Sequence, residues 1–179
     1  MTRRFAALCA VLALVTTPAL ASPEDEPGMN GDIASVAYLF SHDSTPKPTP
    51  GAEYLDFKKL DYSLESLKHV NEYLEKVRTS KTMEQDWMKI CLRAGAYVGE
   101  VIRRSPGKTK FNWVDYETAS KLNPEVFADG ESEIGLALVL YDGNKGFVFP
   151  LAKVQKFLVN GPEDDLYMFA SAVIASFNE

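Results

Sequence analysis

One stretch constrains this chain more than any other: residues 83–104, a helical pattern that is apolar over more than half its circumference. At about 100° per residue, Met83, Trp87, Ile90, Cys91, Ala94, Tyr97, Val98, Val101 and Ile102 fall in one broad arc, widened by Leu92, Gly95 and Gly99. A helix so apolar is expected to be central and touched on two sides. Gly95 and Gly99 stack one turn apart inside it. Each costs a helix interior roughly 1 kcal/mol relative to alanine, so their expected use is close approach of another element. Thr82 and Gln85 read as a capping box, Pro106 and Gly107 mark the stop, and Arg103 and Arg104 suit the negative pole of the last turn.

Around this rod the elements follow a simple order. Leu64, Leu67, Val70, Leu74 and Val77 predict a helix over 64–78, with Ser63 as its cap and Glu72–Lys76 as an i,i+4 pair on the outer face. Residues 110–116 read as an aromatic strand. Residues 136–141 are continuously apolar and predict a strand interior to a sheet. Asp142 to Gly146 is a turn that closes a hairpin with 147–149. Pro150 opens a helix that Asn160-Gly161 stops, and Pro162 leads into a last helix with Glu163, Asp164 and Asp165 at its positive end. Runs of like elements give an α+β fold: a small antiparallel sheet of about three strands packed with four helices.

The first 21 residues set the expected compartment. Arg3 and Arg4 precede an apolar run from Ala6 to Val15, and Ala19 and Ala21 supply an A-x-A exit. This is the order of a cleavable secretory signal, and the run is too short for a permanent span. Residues 22–52 are rich in proline and acids, with Pro46, Pro48 and Pro50 alternating, and read as a disordered or extended leader and linker. The single domain is therefore expected over 53–179, periplasmic or secreted, with no transmembrane segment after cleavage.

Loss of two signal arginines takes the net charge from −6 to −8. That acidity argues against nucleic acid, whose phosphates reward dense Lys and Arg. Cys91 alone would remain, so no internal disulfide is expected, and its apolar neighbours mark it as a buried, inert thiol. His42 and His69 lack the company of a metal site, and neither a phosphate loop nor a nucleophile elbow is present, so no cofactor or metal is expected.

Glu100 is the first carboxylate to consider. It shares a narrow polar face with Lys89, Arg93 and Arg104, whose default reading is a surface ion-pair cluster. The functional reading makes Glu100 part of a polar site, with Arg93, Arg103 and Arg104 offering an anion contact. Asp164 would join it only if the fold brings the two together.

The segments 63–77, 95–104 (GAYVGEVIRR) and 149–169 resemble a family of bacterial exported proteins with a GAYxGEVIRR-type helix and an N-G-x-E-D helix start. The resemblance spans roughly 60–175 and implies one folded unit. The family has no established activity. It gives weight to Glu100, Arg103, Arg104, Asn160, Gly161, Glu163 and Asp164 without assigning them roles. The leading expectation is a non-catalytic binding module of the cell envelope, its partner an envelope protein or ligand. The alternatives are a carboxylate-dependent hydrolase, which requires Glu100 or Asp164 with a raised pKa, and an inhibitor or protective protein against an envelope enzyme.

Overall fold

The computed structural model describes residues 26–43, 45, 47–127 and 134–177. The signal segment lies outside the described residues. The fold is α+β, with helices around a three-stranded antiparallel sheet. In chain order the elements are α1 (Met29–Ser41), α2 (Ser66–Arg78), α3 (Lys81–Arg104), β1 (Asn112–Asp115), α4 (Tyr116–Leu122), α5 (Ile134–Ala137), β2 (Leu138–Tyr141), β3 (Phe147–Val148), α6 (Pro150–Asn160) and α7 (Leu166–Ser176). The four expected helices are α2, α3, α6 and α7; α4 lies in the polar stretch before Pro124, where the sequence allows a helical turn, and α1 and α5 are additional.

The sheet runs β1-β2-β3 with Trp113 opposite Leu140, Val114 opposite Val139 and Leu140 opposite Val148. Its two faces meet different cores. Trp113, Leu140 and Val148 pack into the main core with α1, α2, α3, α6 and α7. Val139 joins a smaller cluster with Ala119, Phe127 and the partly buried Phe147 and Phe149. A central strand covered on both faces must be apolar at successive positions, which is why β2 lacks alternation.

Helix α3 is the axis of the main core, and its glycines serve close approach. A Cβ on Gly95 would lie 2.9 Å from the Leu151 Cα of α6. A Cβ on Gly99 would run into the Trp113 indole, with Pro150 also close. Side-chain caps set the ends of other helices: the Asp115 carboxylate accepts from the Thr118 amide at 2.7 Å, and Asp165 from Met168 at 2.7 Å. Gly161, at φ 99°, ends α6 in a conformation that disfavours any side chain.

The largest correction concerns residues 22–52. Residues 29–41 are a helix, not an extended leader, and Ala37 and Phe40 are fully buried. Its principal packing is against α3. The apolar run 33–40 is too short for its period to separate strand from helix, and the alternating prolines behind it place the expected boundary too late. Residues 49–51 are also buried, and the Tyr73 hydroxyl donates to the Pro50 carbonyl at 2.6 Å.

Smaller differences have local causes. Helix α3 starts at Lys81, which puts Thr82 inside the helix, and it kinks at Asp86 (φ −128°, ψ 16°). Helix α2 is regular from Ser66, and Ser63 caps the turn before it by accepting from the Ser66 amide. Glu72 faces His69 instead of Lys76, which lies over the Tyr54 ring. Residues 134–137 are helical, so β2 begins at Leu138.

Candidate functional site

Glu100 is sealed, not surface-exposed: its side chain is 0% exposed. Its position on α3 points it away from the Leu151 side of the helix and toward β1. Oε1 accepts from Arg103 Nε at 2.7 Å and from the Trp113 indole Nε1 at 2.8 Å. Oε2 accepts from Arg104 Nε at 2.7 Å and from Arg103 Nη2 at 3.0 Å. Helical spacing of i+3 and i+4 brings both arginines onto one carboxylate. Burial alone would push Glu100 upward, but the Arg103 hydrogen bond and charge, with Trp113 and Arg104, hold it below the ordinary glutamate value.

The motif Gly99-Glu100-Val101-Ile102-Arg103-Arg104 is therefore one device. Gly99 admits the indole, the indole and two guanidinium groups satisfy Glu100, and Val101 and Ile102 anchor the turn in the core. Arg103 is also held from its other side. Its Nη1 and Nη2 donate to the two oxygens of Glu26 at 2.7 and 2.6 Å. Two carboxylates outweigh the cost of burial and keep Arg103 charged.

Arg104 differs. Its Nε is bound to Glu100 and its guanidinium lies 4.2 Å from the centre of the Tyr62 ring. Its two terminal nitrogens have no hydrogen-bond partner among the described residues, and the side chain is 18% exposed. Tyr62 is itself held unusually. It has φ 61°, a left-handed backbone that is strained for an aromatic residue. Its amide donates to the Tyr97 hydroxyl at 3.0 Å, and its own hydroxyl meets Ser41 Oγ at 3.2 Å.

The other expected site residues go elsewhere. Arg93 is two turns back on α3. It pairs with Asp43 and donates to Thr49 Oγ1 at 2.8 Å, while Lys89 donates to the Lys47 and Pro48 carbonyls. These bonds fasten Asp43, Lys47, Pro48 and Thr49 to α3. Burial would raise Asp43, but hydrogen bonds from Thr45 and the Arg93 guanidinium hold its carboxyl far below the usual range. Asp164 pairs with Lys153 at 2.7 Å and accepts from Asn160 at 2.6 Å, and those partners depress it. No hydrogen bond or ion pair joins it to the arginines among the described residues.

Sequence reasoning missed Glu26, Ser41, Tyr62 and the bonding role of Trp113. Glu26 precedes α1 and Ser41 ends it, in a stretch that reads from sequence as leader. Once α1 lies on α3, the polar face of α3 is no longer a surface, and its charges need buried partners. Cys91 is buried, and desolvation pushes its thiol up to about 12. Among the described residues no cluster of His, Cys, Asp and Glu is arranged to hold a metal ion, and no helix is long and apolar enough to cross a membrane. No protein-family model, curated protein or solved structure matches this chain.

Proposed function

We propose that the chain is an exported, non-catalytic binding module of the bacterial cell envelope. It recognises an anionic group on an envelope protein or ligand through Arg104, with Arg103 and Glu100 behind it. The observation that carries this reading is the state of Arg104. Its guanidinium is fixed at Nε by a buried carboxylate and on its face by Tyr62, while its terminal nitrogens have no partner among the described residues. An arginine held this way loses little side-chain freedom on binding a carboxylate or phosphate. The strained backbone at Tyr62, worth about 1–3 kcal/mol, fits a part kept for position.

The hydrolase alternative draws no support from these carboxylates. A general acid at neutral pH needs a raised pKa, and Glu100 and Asp164 are both held down by their cationic partners. Glu100 supplies fixed negative charge to two arginines.

Two measurements test the proposal. The purified native protein is expected to begin at Ser22, and an intact Met1 overturns the export part. In affinity capture from the envelope fraction, a partner held by the parent protein is expected to be lost with Arg104→Gln at a temperature where circular dichroism shows the variant folded. Equal capture by both overturns the role of Arg104.

A further inference from the structure

A second feature lies at the opposite end of α3 and does not depend on the reading of Arg104. Where Thr79 and Ser80 join α2 to α3, a groove of about 440 Å³ opens between the helix ends. That volume is within the range of small-molecule sites. Its walls include Arg78, Ser80, Lys81, Met83, Glu84 and Trp87.

The cations here are poorly matched within the chain. Arg78 lies against the Gly161 backbone, where a Cβ would come within 3.2 Å of its Cζ. Its bonds are long: 3.3 and 3.5 Å to the Glu75 carboxylate and 3.4 Å to the Val159 carbonyl. Its Nε is buried with no partner among the described residues. Lys81 forms no hydrogen bond or ion pair among the described residues. Ser80 stands at the capping position of α3, but its hydroxyl donates backward to the Val77 carbonyl at 2.7 Å and does not cap the helix amides. Trp87 is 37% exposed, unlike Trp113, which is buried.

We infer that this groove binds a small organic monoanion, a single carboxylate carried on a flat apolar body. The carboxylate sits between Arg78 and Lys81, where charge-assisted hydrogen bonds are strongest. The apolar body lies on Met83 and Trp87. Glu84 on the same wall leaves the lining with one net positive charge, which selects against polyanions.

The chain has two tryptophans, so a ¹⁵N-labelled sample gives two indole N–H signals, one per site. Trp87→Phe assigns them. The probes are 2-naphthoate, its neutral analogue 2-naphthamide, and acetate. Expected is a saturable shift of the Trp87 signal with 2-naphthoate while the Trp113 signal stays in place. Binding should be about tenfold weaker for 2-naphthamide and for acetate, the loss of one charge-assisted contact or of the apolar body. Arg78→Gln and Lys81→Gln should each weaken 2-naphthoate by a similar factor. Lys81 has no partner to disturb among the described residues, so that variant stands even if Arg78→Gln is unstable. A Trp87 signal that does not move, equal binding of 2-naphthamide, or parent-like binding by Lys81→Gln overturns the inference.

Discussion

The two ends of α3 obey opposite rules although one continuous helix carries both. From Ile90 to Ile102 it is enclosed: Ile90, Cys91, Ala94, Ala96, Tyr97, Val98, Glu100 and Val101 are fully buried, and every oxygen of Glu100 is satisfied. From Lys81 to Lys89 only Met83 packs on the core among the apolar side chains; the helix bends at Asp86 and leaves Trp87 and Met88 at 37% and 59% exposed. Three of the nine residues from 81 to 89 are apolar, against nine of the thirteen from 90 to 102. The ends differ also in whether another element arrives. Leu151, Trp113 and α1 press on the closed end, and the two glycines there admit the first two. A helical pattern specifies which face is apolar, and neighbours decide how much of it is covered.

If the closed end is a satisfied network, removing its centre should cost the most. Glu100→Ala leaves Arg103, the Trp113 N–H and Arg104 without their common acceptor. Stripping one partner from a buried ion pair costs about 3–5 kcal/mol. Denaturant unfolding of the variant should show a loss of that size. A loss below about 1 kcal/mol, the range of surface pairs, would return Glu100 to the surface cluster first read from the sequence. Next comes Gly99→Ala. A methyl there meets the indole ring, and overpacking a tight core costs about 1–3 kcal/mol. Its unfolding midpoint should fall, and the Trp113 indole N–H should exchange faster because the ring is pushed off Glu100.

The helix pattern, the glycine spacing, the antiparallel hairpin and the inert cysteine were legible in the residues. Each depends on local periodicity or on a turn that only a few residue types allow. Glu100 was legible as a candidate but not as a buried one. Helix α3 is covered partly by α1, sixty residues away, whose short apolar run carries no period long enough to declare a helix. Arg93 and Arg103 lie on adjoining parts of one helix face, yet they serve Asp43 and Glu26. Both carboxylates come from the stretch read as leader. Long-range partners of this kind leave no spacing signal in a single sequence. The grouping of Asp164 with the arginines failed for the same reason: Lys153, on α6, was its nearer cation.

Acid sharpens the comparison further. Glu100 and Asp43 are both held below their ordinary values in the folded protein. A depressed carboxylate stabilises fully above its unfolded pKa, about 4.3 for Glu and 3.9 for Asp, and that contribution is lost as pH falls through the folded value. Stability should therefore be flat from neutrality to about pH 5 and then decline. Glu100→Gln lacks one of the two contributions, so its stability deficit relative to the parent should shrink as pH drops below about 4. A deficit that stays constant down to pH 3 would mean that Glu100 titrates alike in both states.

The smallest effect belongs to the open end. Trp87 and Met88 make few demands on the core, so Trp87→Gln should change unfolding free energy by no more than about 0.5 kcal/mol, as for surface positions without a special role. The control is Cys91, one turn further along and fully buried, whose thiol is pushed up to about 12. It should resist thiol reagents at pH 8 in both the parent and the variant until the protein unfolds. If Trp87→Gln costs more than about 2 kcal/mol, or if it exposes Cys91, then the first turns of α3 are held by the core after all. The boundary between the closed and open ends would then lie before Trp87, and the groove beside Arg78 would be part of the packing that supports the fold.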